Sequence, residues 1–241
     1  MKSLDKIIGS HRVLVFLDLE ATQFSHEMTA IGAFKVTIRD DYTVKKIFKP
    51  YSAYVKAKSS VGDIVTRLTG ITDKLLKEKG ISFREVQKAL QKYVGRDFKK
   101  CLFVSYGSQD ARIFMASADN AMDCDYQAAR YVSHRMFDFE DFLKNYITSE
   151  SGQPLSLSNA CKAFNLEFSG KAHDAISDAY NLIRLYSAFL EQRDFVCSRY
   201  GETLAHSPRI PEPIRALIAK LNRGESVTPE QFKRLLSESL H

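Results

Sequence analysis

A chain of 241 residues that is 44% hydrophobic can build one large α/β domain, or one domain with a small appendage. Its four cysteines, Cys101, Cys124, Cys161 and Cys197, form no CxxC pair, which argues against a zinc site and a disulfide framework and suits reduced thiols. The formal net charge is +6, yet residues 35–100 hold 17 Lys/Arg against 7 Asp/Glu, so a basic segment stands beside an acidic remainder, the layout of a metal site that handles a polyanion.

The first residues, MKSLDKIIGSHRVLVFL, join a basic residue to an apolar run. His11 and Arg12 interrupt that run, no small-residue cleavage site follows, and nothing is long enough to span a membrane. The expectation is a soluble, cytoplasmic protein without a membrane partner.

Val13–Leu17 is an unbroken apolar run suited to a central strand covered on both faces. It ends on Asp18 and Glu20, which share one strand face about 6–7 Å apart, with Leu19 pointing the other way. Two acids side by side there are unfavourable unless a cation sits between them or the strand surfaces into solvent.

Residues 27–38 and 43–56 predict two further strands joined by a turn near Asp40-Asp41, with Pro50 interrupting the second. Residues 61–68, ending at Gly70, and 71–79, closed by Gly80, predict short helices. Phe83, Val86, Leu90 and Val94 form a helical stripe. Residues 101–105 predict a buried strand parallel to the first.

Ser108 starts the next helix, with Asp110 in its first turn. An acid there suits the helix dipole, but Asp110 also lies on the core face above Ile113, Phe114 and Ser117, just after a buried strand. A polar stretch follows, then a short strand over 135–139 feeding a helix through Ile147, a loop over 149–154 and a helix over 156–164. Asp174 caps a long helix to about Arg193. His173 falls just outside it, on a loop containing Gly170 and free to move. Asp178 heads the apolar line of Leu182, Leu185 and Phe189, a costly place for an unpaired carboxylate. Residues 206–213 read as a Pro-rich linker. Ile214, Leu217, Ile218 and Leu221 mark one more helix, and Thr228-Pro229-Glu230-Gln231 the capping-box start of a last one.

The order of these acids resembles the DEDDh family of 3′→5′ exonucleases. Asp18-Leu19-Glu20-Ala21-Thr22 matches the first motif, Asp110 in SYGSQD the second, and His173 with Asp178 in HDAISDA the third. LTGIT at 68–72 and GKAHDAISDA most resemble the Eri-1-like branch, whose members act on RNA ends. The resemblance spans about Arg12 to Leu190. One departure is Ala30, before Ile31-Gly32, where relatives often place an acid.

The resemblance implies an α/β fold, a ribonuclease H-like mixed β-sheet flanked by α-helices, with a C-terminal helical extension. It implies an exonuclease domain over 1–195, leaving 196–241 as linker and extension. It further implies two divalent metal ions, Mg²⁺ with Mn²⁺ able to substitute, held by Asp18, Glu20, Asp110 and Asp178. His173 would be the catalytic base, and Ala21, Thr22 and Leu68 would meet the last nucleotide of single-stranded RNA or DNA 3′ ends. Phe24 and Tyr106 are candidates for stacking on further bases. The competing expectation is an inactive relative that regulates by binding nucleic acid or protein, which has no need for all four acids and the histidine. Protein partners are not readable from the sequence.

Overall fold

The computed structural model describes residues 3–238. Short helix α1 (Leu4–Ile8) leads into β1 (Val13–Ala21), followed by β2 (Met28–Ile38), β3 (Val44–Ile47) and β4 (Tyr51–Tyr54). Helices α2 (Asp63–Thr69), α3 (Asp73–Lys79) and α4 (Phe83–Val94) connect to β5 (Leu102–Ser105). Then come α5 (Gln109–Asn120), α6 (Tyr126–His134), β6 (Met136–Asp138), α7 (Phe139–Leu143), α8 (Leu157–Ala163) and α9 (Ala175–Glu191). The chain closes with α10 (Arg193–His206), α11 (Glu212–Asn222) and α12 (Pro229–Glu238). Among the described residues no helix is long and apolar enough to cross a membrane.

The sheet is mixed, in the order β3-β2-β1-β5-β6, with β1 at its centre. β1 pairs antiparallel with β2 and parallel with β5, and β5 pairs parallel with β6. The expected third strand is two strands. Phe48 N still donates to the Lys35 carbonyl, but Pro50 cannot donate to the ladder, so the strand ends before it and pairing resumes at Tyr51, and both pieces lie antiparallel along the same side of β2.

Alternation along β1 divides the core. Val15, Leu17 and Leu19 are buried with Phe83, Val86 and Leu90 of α4, Phe114 of α5 and Val132 of α6. Phe16 points the other way, against Tyr186 of α9, with ring centroids 5.3 Å apart. Asp18 and Glu20 continue that second face, so the strand pleat aims both acids at α9. The stretch read as polar before β6 contains α6, capped by Asp125, whose side chain accepts the Ala128 N–H. Only Ala129 and Val132 of that helix are buried, too short a stripe to show as a period.

Two compact units are distinguished: residues up to Glu140 with Ser156–Leu190, and Asp141–Leu155 with residues from Glu191. In the second, α10 and α11 approach so closely at Gly201 that a β-carbon there would lie 2.4 Å from Asn222 Oδ1. The rings of Tyr146 and Tyr200 meet at 5.2 Å, and Thr203 Oγ1 donates to the Tyr146 carbonyl. The capping box of α12 is formed: Gln231 N donates to Thr228 Oγ1 and Thr228 N to Gln231 Oε1. Helix α10 was not read from the sequence. It buries Val196 alone and so carries no apolar stripe.

Candidate active site

Three elements meet at the C-terminal end of β1. Asp18 and Glu20 stand on the strand, and the register against β2 shifts between Glu20 and Ala21, so the chain leaves the ladder directly after the second acid. Asp110, 4% exposed in the first turn of α5, accepts the Leu19 N–H at 2.9 Å, which fixes α5 against β1 between the two acids. Asp178, 9% exposed in the first turn of α9, accepts the His173 N–H at 3.0 Å. Glu20, His173 and Asp178 each bring one donor atom within 4.8 Å of the others.

The electrostatics are those of crowded, half-dry acids. Burial, then the negative charges of Asp110, Asp178 and Glu20, holds Asp18 well above the usual carboxylate range. Burial pushes Asp110 up to about 8, against the opposing hydrogen bond from Leu19. Burial and then Asp178 and Asp174 push Glu20 up to about 7, while Lys171 pulls it down. Burial pushes Asp178 up to about 6, opposed by the His173 N–H. Hard oxygen donors that repel one another in a partly dry cleft fit divalent cations, which would neutralise them.

The His173 loop is anchored at both ends. Asn181, fully buried, donates Nδ2 to the Ser169 carbonyl at 2.8 Å and accepts the Ser169 N–H at Oδ1, pinning one end of the loop to α9. The bond from His173 to Asp178 pins the other. His173 itself adopts φ +61°, a left-handed conformation unusual for a residue with a β-carbon. Its ring is exposed. Asp174 does cap α9, accepting the Ser177 N–H and hydroxyl.

Of the residues expected to meet a terminal nucleotide, Leu68 lies on α2 with 46% exposure, and Ala21 is half-buried. Thr22 is buried. Its N–H is spent on the Glu27 carbonyl, and its hydroxyl pairs with Ser25 while accepting the Glu27 N–H. Phe24 is 79% exposed, whereas Tyr106 is half-buried with its hydroxyl pushed upward by burial, so of the two only Phe24 presents an open ring. Ala30 is the cross-strand partner of Glu20 and so stands at the margin of the site. Asp138, at the end of β6, also bears on Asp110 and was not singled out from sequence; its signal is an acid ending the strand next to β5.

The family model described as Exonuclease (RNase T) matches residues 15–186, a span that holds every one of these acids and the histidine. The chain belongs to the RNase T exonuclease family. Its resemblance to the DEDDh exonucleases, read from the three acidic motifs, is thereby borne out, as is the ribonuclease H-like sheet flanked by helices. The fold is similar to that of a 3′-exonuclease recognising a histone mRNA stem-loop, at 16% identity and TM-score 0.60, covering 76% of this chain and 65% of that one. Cell-death related nuclease 4 matches at 18% identity and TM-score 0.60, covering 76% of this chain and 64% of that one. E. coli Exonuclease I bound to a dA16 oligonucleotide matches at 17% identity and TM-score 0.59, covering 85% of this chain and 45% of that one. This chain thus spans a little under two thirds of the first of these structures. No curated protein matches the chain in sequence.

Proposed function

We propose that this family member is a divalent-metal-dependent 3′→5′ exonuclease of the Eri-1-like branch, acting on single-stranded 3′ ends with RNA favoured over DNA and releasing nucleoside 5′-monophosphates. The observation that carries the proposal is the convergence of Asp18, Glu20, Asp110, Asp178 and His173 at one strand end. Nucleic-acid ends are what several fold neighbours bind, an oligonucleotide in Exonuclease I and a stem-loop RNA in the 3′-exonuclease.

In this reading Asp18, Glu20, Asp110 and Asp178 would hold two divalent ions. When bound, Mg²⁺ or Mn²⁺ lowers the pKa of water and neutralises charge on the leaving oxygen. A ring nitrogen of His173 accepts the proton of the attacking water as its oxygen bonds phosphorus and the P–O3′ bond breaks. Asp178 steadies that histidine by receiving its backbone N–H. Leu68 packs on the last base, and backbone groups near Ala21 and Thr22 meet its sugar. Residues 1–195 act as the exonuclease domain and 196–241 as its extension, and the protein works in the cytoplasm.

The test uses 5′-labelled single-stranded RNA and DNA with Mg²⁺ or Mn²⁺, and EDTA and His173→Ala as controls. A ladder shortening from the 3′ end and lost in both controls is expected. Oligomers that bind yet stay intact under every condition would replace the enzyme with a regulatory binder.

A further inference from the structure

The excess of Lys and Arg over residues 35–100 is not gathered around the acids. Residues 44–49 hold three lysines and no acid, and residues 86–100 hold five Lys/Arg and one acid, Asp97. The fold joins these two stretches on the sheet face opposite the acids. Lys35, paired with Val15, points with it toward α4, where its Nζ donates to the Val94 carbonyl at 2.8 Å and meets Asp97 at 2.7 Å. The Tyr93 hydroxyl accepts the Lys35 N–H and donates to the Lys49 carbonyl, both at 2.8 Å, so the end of α4 is bolted to the sheet edge beside β3.

Pairing leaves the rest of that charge uncovered. Lys35 takes up Asp97, and at the turn after β2 Asp40 is taken by Arg12 and Asp41 by Thr43. Lys46, Lys49, Lys92, Arg96, Lys99 and Lys100 are all exposed, and among the described residues none of the six has an ion-pair partner. Lys46 is set over the half-buried Phe48 ring, 4.8 Å from its centroid. Cations gathered without neighbouring acids fit a phosphate backbone, whose condensed counter-ions they release.

Strand register separates this face from the acids. Lys46 lies across from Thr37, and Thr37 across from Val13, so the Lys46 backbone is about 20 Å from that of Asp18. That is about two screening lengths at 0.1 M salt, too far for these cations to offset the buried acids. The lysine that does pull on Glu20 is Lys171, of the histidine loop.

We propose that this basic face anchors the sugar-phosphate backbone of a single strand upstream of its 3′ end, without reading its sequence, while that end lies at the acids. The strand reaches the face by passing around β3. The proposal rests on the exonuclease reading and adds a dependence on length: nucleotides too far from the cleaved bond to touch the site still tighten binding.

The experiment measures fluorescence anisotropy of labelled oligothymidylates of about four and about twenty nucleotides in EDTA, with salt titrated. Two double variants, Lys46→Gln with Lys49→Gln and Lys92→Gln with Arg96→Gln, remove exposed charge from different elements. Each should weaken binding of the long oligomer roughly tenfold and flatten its log–log salt slope by about 1 to 2, since a single strand gives about 0.7 per phosphate contact. In Mg²⁺ the ratio of kcat/KM for the long oligomer over the short one should fall as well. Parental affinity and slope in both variants overturn the anchor, as does a long oligomer that the parent protein binds no better than the short one. If the variants instead lose binding to phosphatidylserine vesicles while oligomer affinity stands, the face meets a lipid surface and the anchor is overturned. Binding in EDTA needs no cleavage, so a protein that cuts neither oligomer yet shows the loss keeps the anchor while the exonuclease reading fails.

Discussion

The His173 N–H lies 3.0 Å from Asp178 Oδ2, so one carboxylate of α9 both faces the acids of β1 and holds the preceding loop in place. The histidine is kept at φ +61° by that bond. Left-handed backbone costs about 1–2 kcal/mol for a residue with a β-carbon, a cost glycine escapes. His173→Gly should therefore fold as well as the parent, with Tm moved by no more than about 2–4 °C, while turnover falls by about 10²–10⁴. Calorimetry beside the oligonucleotide assay checks it. A variant with parental turnover would remove His173 from the chemistry.

The raised acids make stability depend on pH in a defined direction. Glu20 at about 7, Asp110 at about 8 and Asp178 at about 6 bind protons more tightly folded than unfolded. Their stabilising contribution is full below the unfolded carboxylate range near 4 and is lost as pH rises through about 6 to 8. In EDTA, Tm should fall over that window. Mn²⁺ or Mg²⁺ should raise Tm more at pH 8 than at pH 5.5, because the cation must displace protons at the lower pH. Equal metal-induced shifts at both values would contradict the cluster.

Gly32 is a packing requirement of the site. A methyl group there would overlap the Ala175 carbonyl and the Ile176 nitrogen, at 2.3 and 2.4 Å. Gly32→Ala should cost about 1–3 kcal/mol and push the first turn of α9, with Asp178, away from Asp18. Mn²⁺ affinity and kcat should fall together. A variant with reduced Tm but parental Mn²⁺ affinity would mean the strain is absorbed elsewhere.

Asn181 secures the other end of the histidine loop. Its buried amide bonds the Ser169 N–H and carbonyl, the Ser177 carbonyl and the Arg184 guanidinium. Asn181→Ala leaves these groups short of partners, at about 1–3 kcal/mol. Proteolysis at Lys171 should speed up and kcat should drop, with Mn²⁺ affinity near that of the parent. Unchanged cleavage at Lys171 would show that Asp178 alone holds the loop.

The acids were readable because each sits where an element's period ends: Asp18 and Glu20 close an apolar run, and Asp110 and Asp178 interrupt apolar helix faces. Phe83–Val94 was legible to the residue, since its apolar stripe is a local signal. What failed was non-local. Pro50 was read as interrupting the strand over 43–56, as the pairing bears out, but that the chain resumes pairing on β2 at Tyr51 is not a local signal. The loop's anchoring to α9 depends on Asn181, a polar residue whose burial no periodicity announces. Asp138 falls inside the short strand read over 135–139, but its bearing on Asp110 depends on the pairing of β6 with β5, which no local pattern announces.

The break at Pro50 has a consequence for the molecule as a solute. The outer margin of the sheet is two four-residue strands separated by three residues, the last of them Pro50, which cannot donate, with Lys45 and Lys46 on the first strand and Lys49 in the gap. Another chain has no continuous row of amides to join and meets positive charge where it would begin. That margin resists edge-to-edge growth, so the protein can be concentrated without templating its own aggregation there.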